Sequence, residues 1–174
     1  TRLKLQLALL KQQDVAKKMS EDIEEMERML NEYLEFSRHQ KSEETEKVIL
    51  NNVIKDVVTK YENKQINVSI EENLKINIRP NSIKRCLTNL IDNGLSYGKK
   101  VEIFCNKTRK NILILVDDDG PGIDENEYQN VMKPFYRIDK SRGQNKSGVG
   151  LGLSISNDII RSHGGEISLD KSPL

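Results

Sequence analysis

The chain has 174 residues, of which 36% are hydrophobic and 32% charged, and its formal net charge is +1. This length fits one ordinary domain, or one domain with a small appendage. The small net charge gives no electrostatic reason to expect nucleic acid or an anionic membrane surface as a partner. No apolar run approaches the roughly 20 residues that a transmembrane helix needs. Cys86 and Cys105 stand in apolar segments without metal-ligand spacing, which favours buried reduced thiols.

The first 40 residues have the periodicity of two helices. Apolar residues recur at helical spacing in two runs, which are Leu3, Leu7 and Leu10, and then Met19, Ile23, Met26, Leu30 and Tyr33. Steps of four and three in the second run are typical of a coiled-coil seam. We predict antiparallel helices over residues 1–13 and about 15–39. Because a two-helix hairpin cannot bury its apolar stripe alone, we expect two copies to form a four-helix bundle.

A polar linker is predicted at residues 41–45, followed by a second domain over residues 46–174. β-branched runs and helical patterns predict its elements in this order: strand 45–50, helix 51–64, strands 66–71 and 74–79, helix 81–97, strands 100–106 and 111–117, helix 151–162 and strand 165–170. Several gaps between strands have hairpin length. The whole chain is therefore predicted to be α+β, with an α/β sandwich and a mixed sheet in its second domain.

Three glycines alternate with apolar residues where the last helix begins: Gly148, Val149, Gly150, Leu151, Gly152 and Leu153. The chain has no Walker loop, and Leu153 stands outside the dinucleotide-binding pattern. Alternating glycines before a helix expose backbone N–H groups at the positive end of the helix dipole, which can hold phosphate. This pattern alone indicates either a phosphate site or a structural glycine hinge.

Two further motifs carry polar side chains that suit a nucleotide. The run "VDDDGPGI" (116–123) follows an apolar strand, and a carboxylate there can accept a hydrogen bond from an exocyclic amine. The alternative is a tight turn that the aspartates merely cap. Asn89 and Asn93 are four residues apart on one helical face, where their amide oxygens could bind a cation that already carries phosphate. They could equally be ordinary surface residues.

These motifs, in this order, resemble the sensor histidine kinases. "NLIDNGLSY" is similar to their N box, "DDGPGI" to their G1 box, "KPFYR" to their F box and "GVGLGL" to their G2 box. "TRLKLQLAL" and "MLNEYLEFSR" resemble the end of the dimerisation domain in the EnvZ-like osmosensor branch. The resemblance implies a partial dimerisation and phosphotransfer hairpin over residues 1–40. It also implies a Bergerat (GHKL-type) ATP-binding domain over residues 46–174.

The resemblance assigns roles at the base and metal ends of an ATP site. It implies that Asn93 coordinates Mg²⁺ bridging the triphosphate, with Asn89 nearby. Asp118 would accept a hydrogen bond from the adenine amino group, and Tyr97 would pack beside the base. Two glycines would make room for the ring: Gly120 and Gly122.

The resemblance also implies a lid over the phosphates, formed by residues 136–150 or so and anchored by Phe135. Backbone amides of the G2 box would contact the phosphates, at Gly148, Gly150, Leu151, Gly152 and Leu153. The N box departs from the family pattern, because Gly94 replaces the usual alanine and Ser96 replaces a basic residue. A cation from the lid could compensate for the second change: Lys140, Arg142 or Lys146.

The family's phosphoacceptor histidine sits in an H-E/D-x-x-x-P motif, which this sequence lacks. Its two histidines, His39 and His163, have neither the acidic neighbour nor the proline, so both are expected to be structural or exposed. We therefore expect a chain that keeps the nucleotide site, lacks the acceptor and ends before a further family strand. Related hydrolases carry a glutamate base where Asn89 stands, and an amide cannot take a proton.

The expected reaction is transfer of the ATP γ-phosphate to a histidine of the dimerisation domain, for relay to a response-regulator aspartate. The alternatives are a nucleotide-binding dimerisation module without kinase activity, or a GHKL-type ATPase. The resemblance implies a homodimer through the hairpin, a response-regulator partner and no nucleic acid. It further implies a cytoplasmic domain of a bacterial inner-membrane protein, joined to the membrane only through segments absent here.

Overall fold

The computed structural model describes residues 15–24, 26, 27, 30, 34, 43–70, 73–138 and 150–174. The chain divides into two units, Thr1–Lys41 and Ser42–Leu174. Every described residue from 15 to 34 is helical, which agrees with the helix predicted to begin at residue 15. The predicted helix over residues 1–13 lies outside the described residues, and so does the hairpin that it would complete.

The second unit alternates strands and helices. In chain order its elements are β1 (Glu46–Ile49), α1 (Leu50–Val58), β2 (Gln65–Ile70), β3 (Lys75–Ile78), α2 (Pro80–Tyr97), β4 (Lys100–Lys107), β5 (Ile112–Asp118), α3 (Tyr128–Val131) and α4 (Gly152–Ser162). Two short 3-10 turns add to these, at Thr59–Tyr61 and Glu125–Glu127. The sequence patterns predicted β1 to β5, α1, α2 and α4, and missed only the single-turn α3 and the 3-10 turn before it.

The strands form two small sheets. β1 pairs with β3 in antiparallel fashion, and the second sheet has the order β2-β4-β5. Within that sheet β2 runs parallel to β4, while β4 and β5 form an antiparallel hairpin. The prediction of a mixed sheet is therefore confirmed.

The predicted strand over residues 165–170 is wrong, because the structure describes these residues without strand pairing. Ile167 and Leu169 are half-buried while their neighbours are exposed, so the segment alternates in burial as a strand would. Alternation reports burial on one face, whereas a strand also needs a neighbouring backbone edge with which to exchange hydrogen bonds.

The core lies between the helices and the three-stranded sheet, where α2 contacts α1, α4, β4 and β5. Fully buried side chains come from each layer: Ile54, Val57, Ile91, Val101, Ile103, Cys105 and Ile159. Burial of each large aliphatic side chain contributes about 1.5–3 kcal/mol, so this packing holds α2 firmly in place. The two cysteines are buried and form no disulfide, and burial raises the pKa of the Cys86 thiol to about 11.

A carboxylate distant in sequence caps the start of α2. Pro80 occupies the first turn, where its missing N–H costs nothing, and Arg79 before it is extended. Glu43 Oε1 accepts from the Asn81 backbone N–H at 2.6 Å, and Oε2 accepts from the Ser82 N–H at 2.9 Å and from the Ser82 hydroxyl at 2.6 Å. Burial alone would raise the pKa of Glu43, but these hydrogen bonds and nearby Arg79 hold it below its ordinary value.

His163 connects the end of α4 to the start of α2. Its Nδ1 donates to the Ile159 carbonyl at 2.7 Å, and its Nε2 accepts from the Arg79 backbone N–H at 3.0 Å. Both ring nitrogens are thus occupied by the fold, so neither is available as a nucleophile. His163 has the structural role that its sequence context indicated, and His39 lies outside the described residues.

Replacement of Glu43 by alanine should lower the free energy of unfolding by about 1 kcal/mol, because two first-turn amides of α2 lose their acceptor. Glu44→Ala is the matched control at an exposed neighbour. Since the pKa of Glu43 is lowered in the folded state, its contribution is present above the unfolded pKa and is lost as pH falls through the folded pKa. Urea denaturation at neutral pH and well below pH 4.5 tests both points. An effect of equal size at the two pH values would contradict the capping role.

Candidate functional site

The helix α2, which carries the N box, contacts the G1 box and the end of the G2 box. Asn89 Nδ2 donates to the carbonyl of Gly152, the first residue of α4, at 3.3 Å. One turn further along α2, Gly94 lies against Asp118 at the end of β5. The structure thus brings the N box, the G1 box and the end of the G2 box together around a single helix.

Asp118 is half-buried and pairs across the sheet with Val101. Its Oδ1 accepts from the Gly120 backbone N–H at 2.9 Å, which leaves Oδ2 without a hydrogen bond among the described residues. A Cβ on Gly94 would lie 3.1 Å from Asp118 Cβ and 3.0 Å from Val101 Cγ2. Glycine where the family usually has alanine therefore lets α2 approach β5 by a few tenths of an ångström more.

The turn after β5 lies against the end of α2. A Cβ on Gly120 would stand 2.6 Å from Asp118 Oδ1 and 3.3 Å from Tyr97 Cβ, so a larger residue there would displace the Asp118 carboxylate. Gly122 has a φ of +73°, a conformation that favours glycine, and open space surrounds its Cβ position. Tyr97 is 45% exposed. The structure therefore places a partly exposed aromatic ring, a carboxylate and a glycine turn side by side.

The two asparagines of α2 present amide oxygens rather than charges. Asn89 uses its amide nitrogen on Gly152, and Asn93 is half-buried with no side-chain hydrogen bond in the described part of the chain. The hydroxyl of Ser96, which stands at the usual basic position, donates to the Asp92 carbonyl of its own helix at 2.6 Å.

A magnesium ion fits this donor set only in the company of phosphate. No group of three or more His, Cys, Asp or Glu that could hold a metal occurs among the described residues. Mg²⁺ commonly takes one or two protein oxygens and completes its shell with phosphate and water. One or two asparagine oxygens are compatible with that arrangement, and would supply no charge of their own.

Among the described residues, no anionic side chain caps the start of α4 as Glu43 caps the start of α2. Its N-cap residue, Leu151, supplies no side-chain hydrogen bond, and its first turn carries no acidic residue. The first amides of any α-helix have no acceptor within the helix. The amides of Gly152, Leu153 and Ser154 are therefore donors at the positive end of a helix dipole.

The two ends of the predicted lid are joined to each other. The Phe135 backbone N–H donates to the Gly150 carbonyl at 2.8 Å. Phe135 has a φ of +64° and is 55% exposed, and Gly150 has a φ of +75°. Four predicted site residues between these ends lie outside the described residues: Lys140, Arg142, Lys146 and Gly148.

Sequence reasoning missed Tyr61, which forms a hydrogen bond with a residue of the N box 31 positions further along the chain. Its hydroxyl donates to Asp92 Oδ1 at 2.7 Å, directly beside Asn93. Burial and this hydrogen bond raise the pKa of Tyr61. No motif or period connects Tyr61 to α2, so only the folded structure shows the pairing.

Known proteins are similar to this chain in sequence and in fold. A family model described as "Histidine kinase-, DNA gyrase B-, and HSP90-like ATPase" matches residues 78–173. The sensor histidine kinase CpxA of Escherichia coli K12 is 32% identical over 188 aligned residues, which cover 100% of this chain and 41% of CpxA. The solved catalytic domain of histidine kinase ThkA has a TM-score of 0.63 at 26% identity, covering 74% of this chain and 89% of that one. The histidine kinase domain of the E. coli osmosensor EnvZ has a TM-score of 0.57 at 28% identity, covering 73% and 80%.

A mixed sheet under three helices, with an N-box helix between a G1 turn and a G2 helix, defines a nucleotide-binding domain of the GHKL class. The chain belongs to the histidine kinase-, DNA gyrase B- and HSP90-like ATPase family, and its second unit is the ATP-binding catalytic domain of a histidine kinase. The family predicted from the sequence is confirmed. The chain spans 35% to 41% of the length of the curated relatives that it matches. Within the ranges that the structure describes, no helix is long and apolar enough to cross a bilayer.

Gly150→Ala should loosen the junction between the lid ends, because the new Cβ would lie 2.8 Å from the Tyr136 carbonyl oxygen at an unfavourable positive φ. Gly164→Ala is the matched control, since Gly164 has a φ of +76° in open space. Hydrogen exchange of the Phe135 amide measures the junction directly. We expect Gly150→Ala to speed this exchange by roughly tenfold and Gly164→Ala to leave it unchanged. Equal exchange rates in the two variants would show that the steric contact is unimportant.

Proposed function

We propose that the second unit binds ATP together with Mg²⁺ and presents the γ-phosphoryl group to a histidine of a dimerisation domain. The observation that carries this proposal is the contrast between two helix starts. The start of α2 is neutralised by Glu43, whereas the start of α4 has three amide donors and no anionic partner among the residues that the structure describes. A triphosphate supplies the missing anion.

The purine end of the proposed site is the pair of Asp118 and Tyr97. Asp118 Oδ2 would accept from the adenine amino group, while Oδ1 stays on the Gly120 amide. The partly exposed ring of Tyr97 would pack beside the base, and Gly122 would allow its close approach. In the open alternative the aspartates merely cap a turn, with Oδ1 on the Gly120 amide and Oδ2 solvated.

Asn93 and Asn89 lie between these two ends on α2. Their amide oxygens are suited to a magnesium ion that neutralises charge on the phosphates. Lys140 and Arg142 are proposed lid cations that replace the basic side chain lost at Ser96. Gly148, Gly150, Leu151 and Leu153 complete the proposed phosphate loop with Gly152.

In the proposed reaction a histidine ring nitrogen attacks the γ-phosphorus, the bond to the β,γ-bridging oxygen breaks, and ADP leaves with that electron pair. This step needs positioning and charge neutralisation more than a base. Asn89 cannot activate water as a glutamate could, which supports transfer over hydrolysis. His163 is held by the fold, so the acceptor must come from another segment or molecule.

The similarity to known histidine kinases supports proposals about the whole protein. We expect the helical hairpin to dimerise and the acceptor histidine to pass its phosphoryl group to a response-regulator aspartate. A cytoplasmic position in a bacterial inner-membrane protein is likewise proposed. CpxA and EnvZ are named a sensor histidine kinase and an osmosensor, which supports a signalling role.

Asp118→Ala should weaken ATP binding roughly 10- to 100-fold, because it removes a charge-assisted hydrogen bond to the base. Asp117→Ala is the matched control, since successive strand residues point to opposite faces and Asp117 pairs with Glu102 instead. Asn93→Ala should remove most of the gain in ATP affinity that Mg²⁺ provides while sparing binding without the metal. Isothermal titration with and without Mg²⁺ measures all three. Unchanged ATP affinity in Asp118→Ala would remove the proposed base site.

Phosphoryl transfer is tested by adding a separate dimerisation domain that has an intact H-box histidine. Label from γ-labelled ATP should move onto that domain, and a histidine-to-glutamine version should stay unlabelled. Binding without transfer would favour a nucleotide-binding module, and rapid release of phosphate without the added domain would favour a GHKL-type ATPase.

A further inference from the structure

The side chain of Asp119 joins the end of β5 to the connection between α2 and β4. Its Oδ1 accepts from the backbone N–H groups of Lys99 at 2.7 Å and Lys100 at 2.9 Å. Its own N–H donates back to the Lys100 carbonyl at 3.3 Å. One exposed carboxylate oxygen thus holds the residue after Asp118 against the start of β4.

Gly98 leaves the space that this carboxylate occupies. A Cβ at position 98 would overlap Asp119 Oδ1 and lie 3.0 Å from the Gly120 nitrogen. The backbone of Gly98 has a φ of −115°, which any residue adopts, so its dihedral angles do not require glycine. The absence of a side chain here therefore serves the contact with Asp119.

Gly98 and Asp119 each adjoin one of the two residues of the proposed base site. Gly98 directly follows Tyr97 at the end of α2, and Asp119 directly follows Asp118 at the end of β5. The Gly98 N–H also closes the helix onto the Gly94 carbonyl at 2.7 Å, and Gly94 is the residue that touches Asp118. A shift of the Asp119 carboxylate would consequently change the distance between Tyr97 and Asp118.

We infer that Asp119 and Gly98 form a positioning clip that presets the spacing of Tyr97 and Asp118 and so sets the preference for adenine. This inference rests on the proposed ATP site. The clip acts by accepting two hydrogen bonds, and any side chain with a suitably placed oxygen serves the same purpose. The backbone N–H groups of Lys100 and Lys99 lower the pKa of Asp119, which is consistent with this acceptor role.

The test is a double-mutant cycle read out as the ratio of ATP to GTP affinity. Asp119→Ala should lower this ratio by about tenfold, because Asp118 is no longer held for the adenine amino group. Asp119→Asn should stay within about threefold of the wild type, since its amide oxygen can accept both hydrogen bonds. Gly98→Ala should lower the ratio like Asp119→Ala, but should have a much smaller effect in the Asp119→Ala background.

Thr108→Ala is the matched control at the opposite end of the same β4–β5 hairpin. Thr108 Oγ1 accepts from the Asn111 backbone N–H at 3.0 Å, so its loss should reduce stability and leave the nucleotide ratio unchanged. A merely structural Asp119 would behave in the same way as Thr108. An unchanged ratio in both Asp119→Ala and Gly98→Ala, or full additivity of the two changes, would overturn the inference.

The variant Asp118→Ala distinguishes a failure of the clip inference from a failure of the proposed ATP site. If Asp118→Ala abolishes the preference for ATP while the clip variants keep it, the base site stands and the clip is wrong. If Asp118→Ala also keeps the preference, the base is bound elsewhere and the clip inference falls with the proposed site.

Discussion

The distance between α2 and the end of β5 is set by contacts so close that an added methyl group would force its neighbours to shift. A Cβ on Gly94 would press on Asp118 and Val101, and a Cβ on Gly120 would meet Asp118 and Tyr97. Since the core beneath α2 is close-packed, the helix cannot slide to relieve such pressure. Asn93 belongs to the same helix, so the proposed metal ligand and the proposed base acceptor are positioned by one packing arrangement.

The same physical feature, the positive end of a helix dipole, has two different uses in this domain. At α2 the chain supplies its own carboxylate from Glu43, and the helix start becomes a structural joint. At α4 it supplies Leu151 and Gly152, and among the described residues no carboxylate accepts from the first amides of that helix. The proposal of a phosphate site at Gly152 is supported by this comparison within one molecule, because helix geometry alone would suggest both ends equally.

Periodicity predicted the elements well because burial leaves a local trace in the sequence. Leu87 and Ile91 on α2, and Ile155 and Ile159 on α4, stand four residues apart and are buried. Contacts between distant residues leave no such trace. No sequence pattern therefore predicted the hydrogen bonds of Glu43 with α2, of Tyr61 with Asp92 or of Asp119 with Lys99. The failure at residues 165–170 has the same origin, since alternation cannot show which strand edge lies nearby.

Four short motifs in order were enough to indicate the family and the region of the site, whereas they could not show how its parts touch. Asn89 illustrates the difference. Its spacing from Asn93 left open a ligand or a surface residue, and the folded chain adds a contact with the first residue of α4. That contact depends on the tertiary packing of two helices more than 60 residues apart in sequence, which no local pattern encodes.

The hydrogen bond between the Phe135 N–H and the Gly150 carbonyl joins the two ends of the connection that precedes α4. The entropy of closing such a loop changes only slowly with its length. Insertions or deletions between Phe135 and Gly150 can therefore be tolerated while the hydrogen bond between the two ends is kept. The length of this connection is therefore a property that can change independently of the packing of the two helices and the sheet.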